Sequence, residues 1–319
     1  MKVSIVIPCY ASAKFLRGTV GEIRQKMDSL KQYEYEVILV NDCSPDSTFE
    51  VIRSLVREDS HITGIGLAKN FGQHAALMAG FQYVTGDIVV CMDDDGQTPA
   101  AELDKLLDAI SDDCDVVYAR YQTKKHAWYR NLGSKVNSLM TEWMLGKPRD
   151  LYVSSYFAAK RYVVDEMKKY SHAFPYVIGL VLRTTKSIKN VDVNHRDRVA
   201  GESGYSLKKL FALWLNGFTA FSIMPLRLAD LIGALCAGAG FLFMVFVVIR
   251  RLLYGDSGVM GWSSLISVVL FIGGILMCIL GIIGEYIGRI YICINNAPQY
   301  VVKEIVGECK RNLTKGDTE

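Results

Sequence analysis

The sequence predicts an α/β fold: a doubly wound, mostly parallel sheet, followed by an interfacial helix and two transmembrane helices. Three observations predict it. Short Val- and Ile-rich runs alternate with helical stretches through the first two thirds of the chain, the pattern of a parallel sheet covered by helices. Three of those runs end in polar clusters, which a parallel sheet would gather at one edge. From about Leu228 onward the composition becomes that of a membrane protein.

In chain order, Val3-Ser4-Ile5-Val6-Ile7-Pro8 reads as a buried strand ended by proline. A helix is expected over 14–30, then a second buried strand, Glu36-Val37-Ile38-Leu39-Val40, ending at Asn41-Asp42-Cys43-Ser44-Pro45-Asp46. Asp46 or Ser47 can cap the next helix, over 48–57. A strand over 63–67 leads through Asn70-Phe71-Gly72-Gln73 into a helix over 75–84. Val89-Val90-Cys91-Met92 is a strand that stops at Asp93-Asp94-Asp95-Gly96-Gln97-Thr98-Pro99. A strand over 115–119 follows, then Arg120, a basic and aromatic stretch over 124–130, and a helix over 132–145. A polar turn from Asp150 to Tyr156 enters a further strand. No G-x-G-x-x-G follows the first strand, so a dinucleotide-binding Rossmann domain lacks its fingerprint.

The chain has 319 residues and a formal net charge of +3, too little for a strong polyanion-binding field, so nucleic acid is not an expected partner. None of the eight cysteines forms a C-x-x-C pair, which argues against a zinc knuckle or redox motif and suits a reducing compartment. The first apolar run is too short for a signal peptide, so the N-terminal domain is expected to stay in the cytoplasm.

Asp93, Asp94 and Asp95 repel one another unless something positive sits among them. Strand ends in open α/β sheets are where ligands bind. Asp and Gln oxygens are hard donors, suited to Mg²⁺ or Mn²⁺ carrying a diphosphate rather than to zinc. Taken alone, the loop is equally compatible with a solvated cap on the helix beginning near Pro99. Asp42 alone reads as a turn residue. Converging with Asp93 and Tyr10, it suggests a pocket for a base and ribose. The basic stretch alone reads as a solvated face. On the ligand-binding edge, Arg120 and Arg130 become plausible phosphate contacts. The polar loop over 196–203, with Arg198, Gly201, Glu202 and Ser203, suits a segment that closes over a substrate.

Residues 205–224 carry a broad apolar stripe with Lys208 and Lys209 at one end, as expected of a helix in the headgroup region. The spans are expected over 228–249 and 265–283. Lys208, Lys209, Arg227, Arg289 and Lys303 favour a cytoplasmic N-terminal domain and tail, while Arg250 and Arg251 pull the other way. The expected organisation is a cytoplasmic domain over 1–204, an interfacial region over 205–227, two spans within 228–288 and a cytoplasmic tail over 289–319.

Nearly the whole chain resembles the polyprenyl-phosphate glycosyltransferases of glycosyltransferase family 2. These include dolichol-phosphate mannose synthase, bactoprenol glucosyltransferase and undecaprenyl-phosphate aminoarabinose transferase. Ser4-Ile5-Val6-Ile7-Pro8-Cys9-Tyr10 is similar to the family's opening strand, and Val40-Asn41-Asp42-Cys43-Ser44-Pro45-Asp46 to its second nucleotide segment. Asn70-Phe71-Gly72-Gln73-His74 resembles the aminoarabinose branch, and Gly284-Glu285-Tyr286-Ile287-Gly288-Arg289 resembles the membrane exit. The resemblance implies a GT-A fold in which Pro8, Tyr10, Asp42 and Asp93 hold the nucleotide. Asp95 and Gln97 would ligate Mg²⁺ or Mn²⁺, Arg120 and Arg130 would bind phosphates, and Arg198 and Ser203 would lie on the closing loop. Asp150 would serve the acceptor side, with turn capping as the alternative. Asp94 stands where relatives carry a small apolar residue, and is expected to point away as a supporting or solvated group. Ala11-Ser12 replaces the family's usual Asn-Glu, Gly96 its usual Leu, and Gly204 its usual Lys. The segment from Asp150 to Phe157 has one residue more than Asp-x-x-Ser-Gly-Phe-Arg and lacks its arginine.

The implied reaction is inverting transfer of one sugar from a nucleotide diphosphate sugar, UDP-sugar first, to undecaprenyl phosphate. The implied place is the cytoplasmic face of the bacterial inner membrane, in a homo-oligomer serving cell-envelope glycan or lipopolysaccharide modification. The alternatives are a non-catalytic membrane scaffold and a processive polysaccharide synthase.

Overall fold

The structure is a computed structural model. It describes residues 1–94, 96, 98–121, 147–148, 150–194, scattered positions over 229–253, and residues 262–295 and 297–307. The chain divides into two units, 1–207 with 296–319, and 208–295.

The first unit is built on an eight-stranded sheet. Its elements are β1 (Lys2–Cys9), α1 (Leu16–Ser29), β2 (Glu34–Asn41), α2 (Thr48–Glu58), β3 (Ile62–Leu67), α3 (Gln73–Phe81) and β4 (Ile88–Cys91). A 3₁₀ turn (Ala100–Glu102), α4 (Leu103–Ala109), β5 (Val116–Tyr121), β6 (Phe157–Lys160), α5 (Arg161–Lys168), α6 (Val177–Thr184) and β7 (Ile188–Val193) follow. β8 (Val302–Val306) comes from the far end of the chain. The strand order is β7-β5-β6-β4-β1-β2-β3-β8.

The central strands β4, β1, β2 and β3 are parallel, as expected from strand–helix alternation. Their near-continuous apolar runs are explained by burial on both faces. Ile5, Ile7 and Cys9 pack in one core with Leu16, Val20, Ile23 and Met27 of α1 and Leu103 and Leu106 of α4. On the other face α3 comes very close to the sheet, because a Cβ at Gly80 would lie 2.6 Å from Val6 Cγ1 and 3.0 Å from Val40 Cγ2.

Three features differ from the sequence expectation. The sheet is mixed: β6 lies antiparallel between β4 and β5, and β8 lies antiparallel to β3. β8 was not expected at all; Glu304 pairs with Arg53 at 2.7 Å and fixes this edge strand against α2. Finally, Pro8 does not end β1, which continues through Cys9. The hydrogen bonds explain it. Lys2 O and Val6 O accept from the β4 side, so even-numbered residues face β4. Pairing with β4 ends at Val6, and Pro8 therefore has no ladder partner to disappoint.

In the second unit, described positions over 229–253 are helical, and α7 (Trp262–Ile294) runs for 33 residues. Phe271–Ile294 is long and apolar enough to cross a membrane, 24 residues with a mean hydropathy of 1.9. At 1.5 Å per residue that is about 36 Å, enough for a hydrocarbon core of about 30 Å. The helix continues through the Gly284–Arg289 motif, which was expected to close the span nearer 283. The interfacial region over 205–227 lies outside the described residues.

Candidate active site

The C-terminal ends of β1, β2 and β4 lie side by side, with Val6 opposite Cys91 and Cys9 opposite Asn41. β6 is antiparallel, so its N-terminal end, Phe157, lies opposite Cys91 at this same edge. The turn from Asp150 to Tyr156 is thereby delivered to the ends of β4 and β5.

The loops at this edge are bound to one another. Tyr10 is 52% exposed, and its backbone N–H donates to Asp94 Oδ2 at 2.9 Å. The Ala11 N–H donates to Ser44 Oγ at 3.2 Å, and the Ser44 hydroxyl donates to Asn41 Oδ1 at 2.5 Å. Ser47 makes no side-chain cap bond at the start of α2; Asp46 accepts there from the Thr48 backbone N–H at 3.2 Å and from the Thr48 hydroxyl at 2.5 Å. Ala11 and Cys43, just past β1 and β2, both have left-handed backbone, φ 54° and 53°. That conformation costs a β-carbon-bearing residue roughly 1–2 kcal/mol and clusters at functional sites. Asn tolerates it better than Ala.

Asp42 is 3% exposed and accepts from Phe71 N at 2.7 Å and Gly72 N at 2.8 Å. Burial pushes its carboxyl above the ordinary value, against the pull of the two amides. Asp42 thus fixes the turn entering α3, where Gly72 has φ 90°. A carboxylate offers about four lone-pair sites, so the turn leaves acceptor capacity for a base N–H. The next residue but one, His74, stacks edge-on against Tyr176 at 5.2 Å. Burial drives its pKa down to about 4, so the ring is neutral at physiological pH.

Asp93 Oδ1 accepts from Gln73 Nε2 at 2.9 Å, and Asp93 Oδ2 accepts from the Ser155 hydroxyl. Asp94 is not merely solvated. It ties the acidic loop to the end of β1 through Tyr10, and its backbone oxygen accepts from Thr19 Oγ1 at 3.5 Å. Gly96 has φ 70°, a conformation that a residue with a β-carbon would resist. Arg120 makes a two-pronged pair with Asp192, its register partner on β7, at 2.5 and 3.1 Å. The hydrogen bond and charge of Asp192 raise the arginine's pKa, and three of its five donors remain for a phosphate. Asp150 lies exposed in its turn. Asp95, Gln97, Arg130, Arg198 and Ser203 lie outside the described residues.

Among the described residues no group of three or more His, Cys, Asp or Glu side chains could hold a metal ion. By residue type, the carboxylates and amide of the acidic loop are the hard oxygen donors that Mg²⁺ and Mn²⁺ prefer. The hydroxyl of Thr98, at the end of this loop, is buried with no hydrogen-bond partner among the described residues. Gln73 and Ser155 as partners of Asp93 were not evident from the sequence. They lie 20 and 62 residues from it, and only Gln73 belonged to a segment with any signal.

A family model described as Glycosyl transferase family 2 matches residues 4–167. The chain belongs to glycosyl transferase family 2. A second model, a GtrB C-terminal hairpin, matches residues 224–290 of this glycosyltransferase. An uncharacterized glycosyltransferase, YkcC, of Bacillus subtilis is 35% identical over 95% of this chain and 94% of its own length. The undecaprenyl-phosphate 4-deoxy-4-formamido-L-arabinose transferase of Proteus mirabilis is 32% identical over 98% of this chain and 96% of its own. Its Aeromonas hydrophila counterpart is 32% identical over 95% and 94%. Among solved structures, the glucosyl-3-phosphoglycerate synthase of Mycobacterium tuberculosis in complex with Mn²⁺, UDP and phosphoglyceric acid shares the fold. Its TM-score is 0.51 at 17% identity, covering 67% of this chain and 74% of that one. The first unit of the family 2 enzyme is therefore a GT-A-like mixed α/β domain.

Proposed function

We propose that this glycosyltransferase moves one sugar from a nucleotide diphosphate sugar, UDP-linked first, to undecaprenyl phosphate at the cytoplasmic face of the bacterial inner membrane. The observation that carries the reading is the convergence of Tyr10, Asp42, Asp93 and Asp94 at one sheet edge, in a chain that also holds a membrane-length apolar helix. The names of the full-length relatives and the hairpin match support the lipid acceptor and a second span over 228–249. We keep the division into a catalytic domain over 1–204, an interfacial region over 205–227, two spans within 228–288 and a tail, with β8 of that tail serving the catalytic sheet.

Tyr10, Pro8 and Asp42 form the wall against the nucleotide. Asp93 contacts the nucleotide, and Asp95 and Gln97 hold Mg²⁺ or Mn²⁺, which when bound offsets charge on the leaving diphosphate. The acceptor phosphate is already an anion and needs no strong base. What the chain must do is align two anions for in-line attack and screen their repulsion. Arg120 and Arg130 do the screening, Asp150 stands on the acceptor side, and Arg198 and Ser203 close the pocket. Direct attack inverts the anomeric carbon. Homo-oligomers follow the expectation for the family.

The test is incubation of the full chain in nanodiscs with undecaprenyl phosphate, MnCl₂ and a panel of UDP- and GDP-sugars, reading the lipid by mass spectrometry. One sugar per lipid by mass, with the anomeric centre inverted by proton NMR and the product lost on chelation, is expected. A polymer on the lipid, or full turnover in excess EDTA, would contradict the proposal.

A further inference from the structure

We infer that Ser155, with Gln73, is a positioning residue for Asp93, and that through it the acceptor-side turn sets the affinity of the donor site. The inference rests on the reading of Asp93 as a nucleotide contact. Asp93 ends β4 between two elements that are distant in sequence. Gln73 Nε2 on the first turn of α3 donates to Oδ1 at 2.9 Å, and the Ser155 hydroxyl, two residues before β6, donates to Oδ2. A bond on each oxygen fixes the plane of the carboxylate. The Ser155 bond is partly buried and the Gln73 bond exposed, so Ser155 is the stronger determinant.

Ser155 itself has little freedom. Asn190 of β7 clamps Tyr152, accepting from its N–H at 2.8 Å and donating to its carbonyl at 2.7 Å. Lys147 Nζ donates to Leu151 O at 2.6 Å, and the Ser154 hydroxyl lies 2.9 Å from Ala119 O and 2.8 Å from Tyr156 O. The turn that carries Asp150 is thus a fixed piece, and Ser155 is its link to Asp93.

The experiment is calorimetry of UDP with MnCl₂ on the full chain in detergent, alongside thermal melting. Ser155→Ala should weaken binding about tenfold, equivalent to about 1.4 kcal/mol, with an unchanged melting temperature. Ser155→Thr, which keeps the hydroxyl, should bind within about twofold of wild type, and Gln73→Ala should lose about threefold, as an exposed charge-assisted bond would. In transfer assays the loss should fall on the donor KM rather than on kcat. Wild-type affinity in Ser155→Ala, while Asp93→Asn loses binding, overturns the inference alone. Wild-type affinity in Asp93→Asn overturns the nucleotide reading and the inference with it. Should Ser155→Ala fail to fold, Ser155→Thr and Gln73→Ala decide: binding weakened about tenfold in Ser155→Thr, or unweakened in Gln73→Ala, rejects the inference.

Discussion

The two ends of the central strands carry polar clusters of opposite character. At the N-terminal end Glu36 is saturated. It accepts from Ser4 Oγ at 2.6 Å, Thr85 N at 2.6 Å, Thr85 Oγ1 at 2.7 Å and Lys2 Nζ at 2.7 Å. Burial opposes its ionisation, yet these four bonds outweigh it and hold the carboxyl below its ordinary value. At the C-terminal end, Asp42, Asp93 and Asp94 lie along one sheet edge, and the hydrogen bonds described for them come from neutral donors. The backbone there is left-handed at Ala11 and Cys43. One cluster closes the fold. The other sets three carboxylates and two left-handed residues at the edge proposed to take the donor, the usual conflict between stability and activity at a site.

The largest expected effect breaks the second cluster. Asp93→Asn should lower transfer by at least about 10²-fold, as loss of a preorganised electrostatic contact does, with melting unchanged or slightly raised. Rate and melting temperature on the same preparation check it.

Acidification should separate the two ends next. His74 titrates at about 4 in the folded protein against 6.5 unfolded. The unfolded chain therefore binds more protons in that window, and stability should fall by up to about 3 kcal/mol as pH drops from 6.5 towards 4. The Glu36 contribution is fully present above 4.5 and is lost only as pH falls through its lowered folded value. The C-terminal end should give way first. Denaturant melts across pH should show the slope, and His74→Gln should remove it.

Glu36→Gln should cost about 2 kcal/mol, the scale of a partly buried charged hydrogen-bond partner. Transfer per folded molecule should stay at the wild-type value, as urea melts paired with rate measurements would show. The smallest effect is a gain: Ala11→Gly should stabilise by up to about 1 kcal/mol by relieving φ 54°.

Much of this contrast was legible in the sequence because it is local. Ile5 to Ile7, Val37 to Val40 and Val89 to Cys91 are continuous apolar runs, and each is followed within a few residues by its polar cluster. Parallel neighbours then gather those clusters by geometry alone. What was not legible depends on pairing across distance. A strand after Tyr156 was expected, but not that Phe157–Lys160 runs antiparallel between β4 and β5 and carries Ser155 to Asp93. Val302–Val306 joins the sheet from beyond a 33-residue apolar helix. Pro8 looked like a strand end because proline lacks an N–H, and only the early end of β4 shows why the strand can continue. Asp94 read as a supporting or a solvated group, and nothing in the sequence announces the backbone amide of Tyr10 that makes it a supporting one.

The most direct measurement is the transfer rate per folded molecule of Asp93→Asn beside Glu36→Gln, with undecaprenyl phosphate as acceptor and the donor that the wild-type chain uses. The expected result is a crossing: Asp93→Asn folded and nearly inactive, Glu36→Gln less stable and fully active. An Asp93→Asn protein that transfers sugar at the wild-type rate would contradict the assignment of the C-terminal edge as the nucleotide-sugar site.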